Sequence, residues 1–222
     1  MEEYKLSFPQ AKVYPIFPIG IMDFPYENGI EEISYYLKTL QLKDGGNGFG
    51  KTSVDTYVLD HPELKPLKQF IESAFLDYAK VVDRVQTSKI QLLQSWISVK
   101  LQGQVHQTHQ HSNSLYSGVF YFDDYNENSP PIYFCKETLN QHHSALRPLR
   151  EQDYQEHTFS QEIYYYPPRK NSFIVFPSWL RHGVPANQSK KPRVSLSVNC
   201  ITDGSFGDEI NLSGINYERL TK

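Results

Sequence analysis

Three of the eight histidines in this 222-residue chain fall within six positions: His106, His109 and His111, in the stretch HQTHQH. Imidazoles crowded at that spacing either gather a metal ion or form a basic, pH-sensitive patch. In an extended strand, residues i and i+2 face the same side, so His109 and His111 would present their rings together. His106 has the opposite parity unless a bulge intervenes. A third ligand then has to come from elsewhere in the chain, and His182, in the stretch FPSWLRHG, is the candidate. Taken alone, His182 also fits a loop histidine held by a hydrogen bond.

Eleven residues beyond His182, Arg193 opens the stretch RVSLSVN. Strand alternation sets Arg193, Ser195, Ser197 and Asn199 on one face and Val194, Leu196 and Val198 on the other. The apolar face would pack against helices. The polar face would line a cavity holding a fixed cation and hydroxyl donors. A guanidinium suits two-pronged capture of a carboxylate. A metal centre beside such a clamp is what a keto acid needs to be held by both ends.

Elements must position these residues, and most of the candidates are strands. The segments 89–101, 114–122, 130–135, 171–177 and 193–200 are short, β-branched or aromatic, and bounded by turn residues. The stretch 11–25 is apolar but broken by prolines, which suits edge strands. Before residue 88 two helical patterns occur. Ile30, Ile33, Leu37 and Leu40 recur at helical spacing. Residues 61–82 carry an apolar stripe of Leu67, Phe70, Ile71, Ala74, Phe75, Tyr78 and Val81. The glycine-rich stretch 43–55 contains G-x-G-K-T but lacks the spacing and the preceding strand of a phosphate loop, so it is expected to be a flexible loop. The polar stretch 136–170, with His142, His143 and His157, reads as a long loop, and both loops are candidate lids.

Helices first and many short strands later predict a mainly β, α+β fold. Its core is expected to be a double-sheet jelly roll with the N-terminal helices packed outside one sheet. The length suits a single domain: helices and edge strands in 1–87, the strand core in 88–201 and a tail in 202–222. The net charge of −3 and the lack of a Lys/Arg block disfavour nucleic acid as partner. Cys135 and Cys200 match no zinc or disulfide spacing and are expected to be reduced thiols. The acidic start MEEYKLSFPQ has no apolar leader run, and no stretch reaches membrane-spanning length, so a cytoplasmic protein without membrane contact is expected.

The order H-x-H, SGVFYF, FPSWLRH and R-x-S, spread over residues 94–200, resembles the Fe(II)/2-oxoglutarate-dependent oxygenases. Within them it is most similar to a small bacterial and phage group with prolyl-hydroxylase-like traits. The resemblance implies a double-stranded β-helix, Fe(II), 2-oxoglutarate and O₂ as co-substrates, and ascorbate as a stimulant. By position it implies His109 and His182 as metal ligands, Arg193 with Ser195 on the far carboxylate of 2-oxoglutarate, and Tyr121 on the same carboxylate. It implies hydroxylation of a protein or peptide side chain or of a small metabolite, with release of succinate and CO₂. One position departs from the pattern. Where most of the superfamily has Asp or Glu two residues after the first histidine, this chain has His111. Either His111 completes a three-histidine site, or the metal keeps an open position there; His106 is a further ligand candidate. Two other readings stand beside this one: a non-catalytic jelly-roll binding module, and a cupin-type metalloenzyme, which has no need of the Arg193–Ser195 pair.

Overall fold

A computed structural model describes residues 18–46, 49–85, 89–136, 161–206 and 215–216. The expected edge strand before residue 18, the histidines at 142, 143 and 157, and most of the tail lie outside the described residues.

The N-terminal part contains β1 (Met22–Pro25), α1 (Ile30–Thr39), the hairpin β2 (Leu42–Asp44) and β3 (Lys51–Ser53), and α2 (Lys65–Val81). The strand core follows as β4 (Ile90–Lys100), β5 (His106–His109), β6 (Tyr116–Tyr121), β7 (Ile132–Cys135), β8 (Ile163–Tyr166), β9 (Ser172–Pro177), β10 (His182–Val184) and β11 (Arg193–Thr202). Seven strands make the major sheet, in the order β1-β9-β6-β11-β4-β3-β2; β5-β10-β7-β8 make the minor one. The paired strands in both are antiparallel. This is the double-stranded β-helix architecture.

Residue type dictates which strand lies where. β9, SFIVFP, is buried along its whole length, covered on both faces. Phe173 and Val175 join the core beneath the helices, while Ile174 and Phe176 join a second core between the sheets. β11 does the same with a different outcome. Leu196, Val198 and Cys200 enter the helix-side core, and its other face carries the polar residues. The helix α2 buries Leu67, Ile71, Ala74, Phe75 and Tyr78 against this sheet. The Phe75 ring meets Phe173 edge-on at 5.3 Å. α1 contributes Ile33 and Leu37 to the same core. Among the described residues no helix is long and apolar enough to cross a membrane.

Five local expectations are corrected. The glycine-rich stretch 43–55, expected as a flexible loop, carries most of the paired strands β2 and β3. Val81, the last residue of α2, is 61 % exposed, while Tyr78 and Ala79 of the same turn are fully buried. Pro62–Leu64 form a 3₁₀ turn rather than the first α-helical turn. Residues 163–166, placed in a loop by their polar surroundings, form β8 on the open edge of the minor sheet, with Tyr164 and Tyr165 exposed. His182, expected in a loop, opens β10.

Candidate active site

The minor sheet supplies the imidazoles. His109 ends β5 and pairs directly with His182 at the start of β10. The register shifts between His182 and Val184, which pairs with His106. That irregularity is the bulge that parity required, and it turns His106 toward the same space as His109. The two rings stack at 4.3 Å between centroids. His111 lies past the end of the strand, so strand alternation does not place it. Its backbone N–H instead donates to the Ser178 carbonyl at 2.9 Å, which ties it to the turn before His182.

His109, His111 and His182 each offer a ring nitrogen, and these atoms lie within 4.8 Å of one another. The Nδ1 of His109 sits 2.8 Å from the Gln107 carbonyl, and that of His182 sits 2.7 Å from the Leu180 carbonyl. A carbonyl only accepts, so both Nδ1 atoms carry the proton and both Nε2 atoms keep a free lone pair. Burial, then the neighbouring imidazoles, pushes His111 down to about 4 and His182 to about 3; burial also lowers His109. All three rings are therefore neutral at pH 7, the form that ligates a metal. His106, pushed down to about 3, stays outside the group of three. No carboxylate joins this group among the described residues. The donor set of three imidazoles suits a first-row divalent ion.

A buried polar chain holds the group in place. Ser178 Oγ lies 2.8 Å from both Ser114 Oγ and Ser117 Oγ, and Ser117 donates to Asn199 Oδ1 at 2.8 Å. It links the turn after β9 to β6 and β11. Gly183 follows His182 because nothing larger fits there. A Cβ would lie 2.5 Å from the Tyr133 hydroxyl and 2.8 Å from the His106 carbonyl.

The major sheet supplies the cation. Arg193 is 3 % exposed at the start of β11. Its Nε donates to the Pro130 carbonyl at 3.0 Å, and its two terminal nitrogens donate to Ser195 Oγ at 3.3 Å and Tyr121 Oη at 3.2 Å. Both hydroxyls accept from the guanidinium, so each keeps its own hydrogen for another acceptor. Burial raises the Tyr121 phenol above its usual range, so it remains a neutral donor. Arg193 makes no ion pair among the described residues, and a buried guanidinium without a counter-charge is costly. Arg193, Ser195, Ser197, Asn199 and the three histidines line one cavity between the sheets. That cavity is narrow, with a volume of about 40 Å³.

Neutral nitrogen donors at one end and a buried, unpaired cation with two hydroxyls at the other suit a metal-chelating dianion. Residues 94–199, nearly the whole strand core up to the end of this cavity, match the family described as "Putative 2OG-Fe(II) oxygenase". Over that stretch the core is similar to that family. Its enzymes depend on Fe(II) and 2-oxoglutarate. The folds of solved oxygenases agree. HygX from Streptomyces hygroscopicus, solved with nickel and 2-oxoglutarate, is 12% identical with a TM-score of 0.59, over 82% of each chain. SnoN, the α-ketoglutarate-dependent epimerase of nogalamycin biosynthesis, is 14% identical with a TM-score of 0.61, over 86% of this chain and 82% of its own. A Pseudomonas putida prolyl-4-hydroxylase is 10% identical with a TM-score of 0.57, over 84% and 94%. Identities this low carry the fold alone. Among curated proteins none matches the chain significantly.

Two features escaped the sequence reading. Ser178 carried no signal of its own in the sequence, and its role depends on three strands meeting there. Lys100 carried a legible signal: alternation in QSWISVKL puts Trp96, Ser98 and Lys100 on one face, as Arg193 was placed on its own strand.

Proposed function

We propose that the chain is a Fe(II)- and 2-oxoglutarate-dependent oxygenase that hydroxylates a C–H bond of a protein side chain or small metabolite, releasing succinate and CO₂. His109, His111 and His182 hold the iron, with His111 where most of the superfamily has a carboxylate. Arg193, Ser195 and Tyr121 hold the far carboxylate of 2-oxoglutarate. When bound, iron with 2-oxoglutarate and O₂ supplies the oxidising chemistry; the chain supplies position and charge. The carbonyls of Gln107 and Leu180 fix the tautomers of His109 and His182, so that both Nε2 lone pairs point at one centre. Three neutral ligands leave the metal's charge to be balanced by the keto acid itself. Arg193 sets the distance and direction in which that dianion lies, and Tyr121 and Ser195 complete its hydrogen bonds. The apolar second core, with Val119, Ile132 and Phe176 at the cavity wall, keeps water from the buried end.

The observation that carries this reading is the unpaired Arg193 in the same cavity as three convergent imidazoles. It is tested by anaerobic calorimetry of 2-oxoglutarate on the Mn(II)-loaded protein. Arg193→Ala is expected to weaken binding at least ~10-fold, from loss of a charge-assisted bond of roughly 1.5–3 kcal/mol. Metal affinity should stay the same. Arg193→Lys should restore only part, because an ammonium lacks the planar fork. Equal affinity in wild type and Arg193→Ala rules out the clamp. Absence of 2-oxoglutarate binding by the loaded wild type rules out the oxygenase.

A further inference from the structure

The inner cavity is not the only space that reaches the histidines. A second cleft of about 430 Å³ lies between the β2–β3 hairpin and β5, and it shares Trp96, Ser98, His106 and His109 with the first. Its far wall is Phe49, Lys51 and Thr52. At its buried end is Lys100, 4 % exposed. Lys100 sits opposite Arg193 in the β4–β11 pairing, so the two cations share one face of the sheet.

The Lys100 ammonium donates to Ser98 Oγ at 3.0 Å. It has three protons, and among the described residues no carboxylate pairs with it. Burial first, and Arg193 second, hold its pKa down at about 8. The chain carries a net charge of −3, yet the described lining of this cleft has two lysines and no acid. The hairpin is built to close over the lysine. Thr52 pairs with Ser98 and Lys51 with Val99. At Gly50, φ is +85°, and a Cβ would lie 2.3 Å from the Val99 carbonyl and 3.2 Å from Lys100 Cδ. A fold that shuts a cation away from water without a counter-ion has lost stability, and a bound anion restores it.

We infer that this cleft takes the prime substrate of the proposed oxygenase, and that this substrate is a small acid whose carboxylate or phosphate seats on Lys100 Nζ. The inference rests on the oxygenase reading. The volume suits a metabolite, and the shared wall brings such a ligand beside His109. Lys100 is then a specificity-determining residue, separate from the keto-acid clamp at Arg193.

The test uses the full chain loaded with Mn(II) and N-oxalylglycine, a non-reacting stand-in for 2-oxoglutarate that fills the Arg193 side. Free L-amino acids and sugar phosphates are screened by ligand-observed NMR, each beside its neutral amide or dephosphorylated counterpart. At least one acid should bind while its neutral counterpart does not; which set responds distinguishes carboxylate from phosphate. Lys100→Met should weaken that binding at least ~10-fold, leave 2-oxoglutarate affinity within about twofold, and raise the Tm. Lys100→Gln is the second variant, read in the same way if the first does not fold. Loss of 2-oxoglutarate affinity in both variants overturns the inference by moving Lys100 into the clamp. So does equal binding of acids and neutral counterparts, or no binding by the loaded wild type. Failure of the oxygenase reading looks different: the wild type then binds no 2-oxoglutarate at all.

Discussion

At the scale of single residues, the site depends on hydrogen-bond direction as much as on charge. Asn199 Oδ1 only accepts, so the chain runs Ser114 to Ser178 to Ser117 to Asn199. Ser178→Ala interrupts it at a fully buried point and should cost about 1–2 kcal/mol. Thermal unfolding should show a fall of roughly 2–4 °C for each of those kcal/mol. Metal affinity should drop less than in His182→Ala, which removes a proposed ligand outright and should abolish binding. Lys100 makes a separate pH prediction. Its folded pKa, about 8, lies below the ordinary 10.5. The folded state thus disfavours the charged form, at a cost fully present below pH 8. As pH rises from 8 to 10.5 the unfolded chain holds the proton and the folded chain does not, so stability rises. The gap in Tm between Lys100→Met and wild type should therefore narrow across that window; a constant gap would mean that the ammonium is not penalised.

Elements were legible where one alternation ran uninterrupted. RVSLSVNC announced both its strand and its faces, because every second residue agreed, while NSFIVFP announced a strand by its apolar run but not its faces. β8 did not, since IYYY has exposed tyrosines on an edge and is set in a polar stretch. β10 is three residues long, too short to show a period, so His182 looked like loop. The three clustered histidines were legible by type and spacing, but the reason for their convergence was not. His111 reaches the others through a backbone bond to Ser178, and His106 turns inward through a bulge that no local residue signals. The β5–β10 contact is correspondingly fragile at Gly183. Gly183→Ala forces its methyl into Tyr133 and the His106 carbonyl, so the two strands must separate. Expected results are a destabilisation of about 1–3 kcal/mol, as for overpacking, and a large loss of metal affinity. Gly50→Ala should act on the other cleft, leaving metal affinity alone.

Across the whole molecule, the two apolar cores divide the labour. The helix-side core is remote from the site, so Phe75→Ala, at a fully buried ring, should cost about 3–5 kcal/mol. Below its lowered Tm this variant should still bind metal and 2-oxoglutarate with wild-type affinity, as titration at low temperature would show. The inter-sheet space behaves differently, because its proposed binding groups belong to different sheets. The imidazoles of His109 and His182 hang from β5 and β10, while Arg193, Ser195 and Tyr121 hang from β11 and β6. A metal ion alone grips only one of the two layers. A keto acid bound to both ends is a rivet through the sandwich, and the layers cannot part without breaking it. Mn(II) and 2-oxoglutarate together should then raise the Tm by more than the sum of their separate effects. In Arg193→Ala the two should no longer reinforce each other, since the rivet has lost its far head.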